Sequence, residues 1–263
     1  MSIKIVSSKS NPDFRKLESL LTSKGIKSEG EFLVSGVKVI NEILARKSHG
    51  GAKYLVITAE QLEDQEFAHT FATAGTLRKL QLTNELFKEL DVFGTHSPLL
   101  LCESPEMPEW LNENQLNDRE ILCALSDPSN LGALMRSAAA FGFSKIVLLK
   151  ESASPFHPKA IRSASGAFSS INFARGPSIK ELTSPDSKKY EVVSNLIALD
   201  MNGKSINDYK WPQHFRLLIG EEGLGVPQDL QAIRLKIQID GVESLNATVA
   251  ASIAMFAATS QNR

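Results

Sequence analysis

The chain has 263 residues, 42% of them hydrophobic and 22% charged, with a net charge of −1. That length exceeds one average domain and points to two; no apolar run approaches the roughly 18 residues of a membrane-spanning helix, so a soluble protein is expected. The near-neutral charge shows no overall footprint for nucleic acid, and Cys102 and Cys123, the only cysteines, are too few for a disulfide framework or a zinc site.

The N-terminus, MSIKIVSSKSNPDFRKL, is polar and lacks a secretory signal, which makes the cytoplasm the expected compartment. Over residues 11–24, Asn11 as a cap, Pro12 at the first helical position and Phe14, Leu17, Leu20 and Leu21 at helical spacing predict an amphipathic helix. EFLVSG reads as a strand ending at Gly36, VKVINEILAR as a helix, AKYLVITA as a strand and TNELFKEL as a capped helix. The first fifty residues carry a local positive excess, and residues 51–120 turn acidic. A basic patch of this kind is usually a solvated helix face, with an RNA contact as the competing reading.

ESPEMPEWLNENQLND, polar, twice interrupted by proline and without periodicity, has the character of an interdomain connection. We therefore divide the chain into residues 1–105, a linker over 106–118 and residues 119–263. Alternation resumes with the strand REILCALSD, the helix LGALMRSAAAFGF and the strand KIVLLK. The later strands are VVSNLIALD and RLLIG, and the Ala-rich SLNATVAASIAMFAATSQNR is a terminal helix with Ser244 or Asn246 as its cap. Such alternation predicts an α/β fold with a parallel sheet and helices on both faces, in which ligands bind at the carboxyl ends of strands. Both cysteines lie in apolar contexts and are expected to be buried free thiols.

Three loops carry candidate chemistry. In SDPSNLGALMRSAAAFG, Asn130, Gly132 and Arg136 follow a strand end, and a guanidinium there could clamp a phosphate bidentately; an ordinary helix cap with a surface arginine is the competing reading. RLLIGEEGLGVP runs a strand into Gly220–Gly225, where glycines let backbone approach a ligand closely, or simply end a strand. In KIQIDGVESLNATVAASIAMF, Ser244 and Asn246 sit at a helix mouth whose amides and side chains can hold an electron-rich group, or only cap the helix. Neither the dinucleotide pattern nor a phosphate-binding loop is present, which counts against another nucleotide-using α/β enzyme.

Taken together and in order, the Asn-x-Gly-x-x-x-Arg of the first loop, the Gly-x-Glu-Gly-x-Gly of the second and the Ser-Leu-Asn of the third resemble the signature motifs of the SpoU (TrmH-like) RNA 2′-O-ribose methyltransferases. SPFHPKAIRSASGAF, with Pro158, Lys159, Arg162, Ser165 and Gly166, resembles the family's segment after its second strand, and EFLVSGVKVINEIL resembles the start of its N-terminal domain. The resemblance implies a C-terminal parallel-sheet domain threaded as a trefoil knot, a smaller N-terminal α/β substrate-binding domain akin to ribosomal proteins, S-adenosylmethionine as cofactor, and a homodimer with no metal. It places Leu199, Gly220, Glu222, Ile237, Leu245 and Asn246 at the cofactor and Asn130, Arg136, Ser244 and Asn246 at the reaction centre. Gln238 stands where the family usually has proline, and the loop from Ile237 to Ser244 is one residue short.

The expected reaction is methyl transfer to a ribose 2′-hydroxyl, on ribosomal RNA in preference to transfer RNA because of the N-terminal domain. The alternative is an RNA- or ribosome-binding protein that keeps the fold without catalysis. Arginine stays protonated and makes a poor base, so Arg136 is expected to fix a phosphate and lower the proton affinity of the hydroxyl. His157, a single histidine just before Pro158, is the other, weaker candidate base.

Overall fold

The computed structural model describes residues 3–46, 51–111, 116–183 and 193–261. Contacts divide the chain into two compact units, Met1–Glu106 with Ser154–Gly166, and Met107–Ala153 with Ala167–Arg263.

The first unit opens with β1 (Ile3–Val6) and α1 (Pro12–Ser19), followed by α2 (Ser23–Glu29), β2 (Glu31–Ser35) and α3 (Val37–Leu44). Then come β3 (Ala52–Ile57), α4 (Ala59–Glu63), α5 (Ala68–Ala74), β4 (Arg78–Leu82), α6 (Asn84–Leu90) and β5 (Leu99–Glu103). Asn11 caps α1 by accepting from the Asp13 amide at 2.9 Å, an interaction worth about 1 kcal/mol. The helix expected over residues 11–24 is two helices. Thr22 accepts from the Gly25 amide at 3.1 Å to start α2, and a Cβ on Gly25 would stand 2.0 Å from the Ser19 carbonyl oxygen, so the corner requires glycine. The strands lie in the order β1-β4-β3-β5-β2, and β5 runs antiparallel to both neighbours, which makes this sheet mixed.

The second unit contains β6 (Glu120–Cys123), α7 (Pro128–Ala140) and β7 (Lys145–Leu148). After α8 (Pro158–Ala164) follow β8 (Asn172–Arg175), β9 (Leu196–Ser205), β10 (Arg216–Ile219), β11 (Ile233–Lys236) and α9 (Ala247–Gln261). Its six strands are all parallel, in the order β11-β9-β10-β6-β7-β8. All their carboxyl ends therefore share one edge, which is where the three loops emerge. Leu122, Val147, Ala198 and Leu218 form a buried cluster with Trp110. The opposite edge carries the fully buried Arg216, whose Nε donates to Glu120 at 3.0 Å and whose Nη1 donates to the Ser194 carbonyl at 3.1 Å; Lys145 pairs with the same carboxylate.

Two features of this division have no counterpart in sequence order. Trp110, inside the stretch expected as a linker, is 1% exposed; its amide donates to the Arg175 carbonyl at 2.7 Å and its indole to Glu120 at 3.3 Å, so the second unit's contacts begin before residue 118. Conversely α8 packs on β2 in the first unit, with Phe156 stacked on Phe32 at 4.8 Å and Ala160, Ile161 and Ala164 buried. An apolar helix face is buried wherever a complementary surface lies, irrespective of chain order. Both cysteines are buried, and burial raises the Cys102 thiol to about 12 and the Cys123 thiol to about 11. No described helix is long and apolar enough to cross a membrane.

Candidate active site

The first loop leaves β6 through Ser126 and Asp127. Asp127 caps α7 by accepting from the Asn130 amide at 2.9 Å, so the helix begins at Pro128 and Asn130 lies within its first turn. In the second loop Glu221 and Gly225 exchange both backbone hydrogen bonds, at 3.1 and 2.9 Å, with Gly223 and Gly225 at φ of 87° and 69°. A Cβ on Gly220 would stand 2.4 Å from the Gly225 carbonyl oxygen, so this closure admits only glycine there. In the third loop Asn246 Oδ1 accepts from the Thr248 and Val249 amides at 2.9 and 3.3 Å, which caps α9.

Asn130 joins all three loops. Its Nδ2 donates to Glu222 Oε1 at 2.6 Å, its Oδ1 accepts from Asn246 Nδ2 at 3.2 Å, and its carbonyl accepts from Thr248 Oγ1 at 3.0 Å. These bonds assign both ends of the Asn130 amide. Around them opens a cleft of about 610 Å³ whose lining includes Asn130, Leu199, Gly220, Glu222, Ile237, Ser244, Leu245 and Asn246. Eight of the nine residues that the family resemblance assigns to the cofactor and the reaction centre thus converge on one cavity. Further apolar wall comes from Met201, Val226 and Leu235, and charged groups from Asp200, Glu221 and Lys236. Cys123, on the strand beneath, is held neutral chiefly by burial, with Glu222 adding repulsion, so its thiol is a poor nucleophile.

The structure places Arg136 elsewhere. It is exposed on α7, does not line the cleft, and makes no ion pair among the described residues. His157 caps α8, its Nδ1 accepting from the Lys159 amide at 3.2 Å, and falls by its contacts in the first unit. Asp200 and Thr248 escaped the sequence reading. A charge closing the apolar run LIALD was the available signal for Asp200; Thr248, inside an Ala-rich helix, offered none.

The comparisons with known proteins agree with this geometry. The model of the SpoU rRNA Methylase family matches residues 120–256, more than half of the chain. A Syntrophobacter fumaroxidans protein named "Ribosomal RNA small subunit methyltransferase G 2" is 36% identical over 254 residues, which cover 96% of this chain; the chain spans 48% of that protein's length. The Bacillus subtilis 23S rRNA (guanosine(2553)-2′-O)-methyltransferase RlmP is 29% identical over 97% of this chain and 98% of its own. Among solved structures, the SpoU methyltransferase AviRb from Streptomyces viridochromogenes with the cofactor AdoMet superposes with a TM-score of 0.78 at 22% identity, covering 96% of this chain and 98% of that one. At that identity the likeness speaks for the fold alone. It is the family match, falling on the half of the sequence that builds the sheet, the three loops and their cleft, that decides the relationship: the chain belongs to the SpoU rRNA methylase family.

Proposed function

We propose that this protein transfers a methyl group from S-adenosylmethionine to a ribose 2′-hydroxyl of ribosomal RNA. The observation that carries the reading is the convergence of three separate motif loops, through Asn130, on one cleft. The cleft fits the cofactor: about 610 Å³ is ample for a nucleoside joined to an amino acid, glycine backbone and aliphatic walls suit the adenosine, and carboxylates suit a cation. The names of the relatives, which include 2′-O-methyltransferases acting on 23S rRNA, supply the substrate class.

When bound, S-adenosylmethionine supplies a methyl group already activated by its sulfonium. What remains for the protein is alignment and removal of a proton. Gly220, Leu199, Ile237 and Leu245 form walls against which the cofactor lies, and Glu222 holds Asn130 in place. Ser244 and Asn246 line the same cavity and are assigned to the reaction centre on the motif resemblance. Arg136, charged and exposed, fixes an RNA phosphate beside the ribose and lowers the hydroxyl's proton affinity.

The same reading carries a homodimer, a knotted second unit and a cytoplasmic place of work. Val249 and Phe256, two turns apart on α9, are 48% and 59% exposed, which supports a second copy packing there. The position of Arg136 outside its own cleft supports an active site completed across that interface.

Calorimetric titration with S-adenosylmethionine and S-adenosylhomocysteine, beside an Asn246→Ala control, tests the reading. Saturable binding that the control loses is expected. Methylation of ribosomal RNA lacking this modification then follows, and transfer to transfer RNA instead would change the substrate. Absence of binding at millimolar cofactor would leave an RNA-binding protein that has kept the fold.

A further inference from the structure

β9 and β11 are paired out of step. Ile233 faces Ile197 and Arg234 faces Ala198, but the next residue on β11, Leu235, faces Lys204, and Lys236 faces Ser205. Between two consecutive residues of β11, therefore, β9 carries the stretch Leu199–Gly203, which no ladder pairing holds. Leu199, Asp200 and Met201, at its start, line the cleft. A strand excursion without ladder bonds has no intrinsic shape, so neighbouring groups must supply one.

Those groups are few. Asp200 Oδ1 accepts from the Asn202 amide at 2.9 Å, and its Oδ2 accepts from Gln228 Nε2 at 3.3 Å and from Arg234 Nη1. Through Nη2, Arg234 also donates to the carbonyls of Pro227 and Leu230. The Arg234 and Asp200 side chains are 18% and 9% exposed, which shields the pair from solvent screening. Beside them Gly203 lies so close to β11 that a Cβ would stand 2.5 Å from the Arg234 carbonyl carbon. A single guanidinium thus ties together three segments that wall the cleft: the excursion, the stretch after the glycine loop that begins at Val226, and β11, which supplies Leu235 and Lys236 and runs on into Ile237.

We propose that Arg234 and Asp200 are positioning residues whose ion pair holds the Leu199–Gly203 excursion in its cofactor-binding shape, and so govern cofactor affinity and leave the methyl-transfer step alone. This rests on the cofactor-binding reading above. Arg234 does not itself line the cleft, and both Asp200 oxygens are already taken by protein donors, so the pair acts through the shape of the wall. Since wall shape is shared by substrate and product forms of the cofactor, its loss weakens both alike.

The test is calorimetry of the full chain with S-adenosylmethionine and S-adenosylhomocysteine, together with steady-state methylation of RNA, for wild type, Arg234→Ala, Arg234→Lys and Gln228→Ala. Arg234→Ala is expected to raise Kd for both ligands roughly 10- to 100-fold and KM for the cofactor in parallel, with kcat at saturating cofactor within about twofold of wild type. Arg234→Lys, which keeps the charge without the planar fork, should fall between, and Gln228→Ala nearer wild type. Should Arg234→Ala fail to fold, the two milder variants decide, since each must show a graded loss of affinity. Unchanged Kd in folded variants, or a fall in kcat at unchanged KM, overturns the proposal. Failure of the wild type to bind either ligand would instead remove the cofactor reading on which it stands.

Discussion

Asn130 and Glu222 lie 92 positions apart in the sequence and 2.6 Å apart in the structure, the amide Nδ2 of the first donating to the carboxylate of the second. Because Asn130 Oδ1 simultaneously accepts from Asn246, the asparagine can turn neither end away without breaking a bond to another loop. Asn130→Asp would replace the donor by an acceptor facing a carboxylate. We expect a loss of roughly 10² in kcat/KM at neutral pH, with partial recovery as the pH falls and one carboxyl of the pair takes up a proton. Glu222→Gln, which retains an acceptor oxygen, should cost less than Glu222→Ala. A pH–rate profile of the three variants distinguishes these outcomes, and an Asn130→Asp profile parallel to wild type would refute the pairing.

Arg136 makes the opposite kind of prediction, because it is exposed and outside the cleft. Arg136→Ala should abolish methyl transfer while S-adenosylmethionine binds with nearly wild-type affinity. Arg136→Lys should also fail, as a point charge does not reproduce the bidentate fork. Calorimetry and single-turnover methylation, run on the same preparations, give both readouts, and equal turnover in mutant and wild type would sink the assignment.

At the far edge of the same sheet, Arg216 is fully buried against Glu120, with its guanidinium 5.4 Å from the Trp110 ring centroid. Removing Arg216 takes one of two cations from a carboxylate that keeps Lys145, and removing Glu120 takes the carboxylate from a fully buried guanidinium. Arg216→Ala or Glu120→Ala should lower the unfolding free energy by about 3–5 kcal/mol, and the double variant by less than the sum of the two. Urea denaturation read by tryptophan fluorescence and circular dichroism measures this directly.

Glu31 begins β2 and is nearly buried, with Lys16 Nζ at 2.5 Å and Lys53 Nζ at 2.6 Å. Burial alone pushes its carboxyl up, but the two ammonium groups outweigh that and hold it below the ordinary 4.5. A carboxylate whose pKa is depressed on folding contributes stability above the unfolded value and loses it as the pH falls through the folded one. Stability of the wild type should therefore drop as the medium is acidified below 4.5, whereas Glu31→Gln should be weaker at neutral pH and flatter in that range. Thermal melts across the acid range provide the comparison.

Much of the second unit was legible because its signals are local. Buried parallel strands are short apolar runs, and a helix announces itself by its cap and its period, as at Asp127–Pro128 and along the Ala-rich α9. The loops between them stood out because glycines, asparagines and serines at strand ends have few structural reasons to cluster. In the first unit β1, β4 and β5 and the helices α2, α4 and α5 were missed: each is only four to seven residues long, which leaves a period little room to show, and of the equally short elements of this unit only β2, β3 and α6 were read.

By itself the sequence determined the α/β character of the chain, the three motif loops and their family resemblance, and that resemblance pointed to eight residues that meet in one cleft. Only the tertiary structure decided that α8 belongs by its contacts to the first unit, that Trp110 already serves the second, and that Arg136 stands outside the cleft its neighbours build. It alone revealed the Asp200–Arg234 pair and the unpaired stretch that this pair holds. The reason is physical: propensity, capping and periodicity act between residues a few positions apart, whereas a hydrogen bond or a buried ion pair depends on distance in space, which packing sets after the chain has folded back on itself.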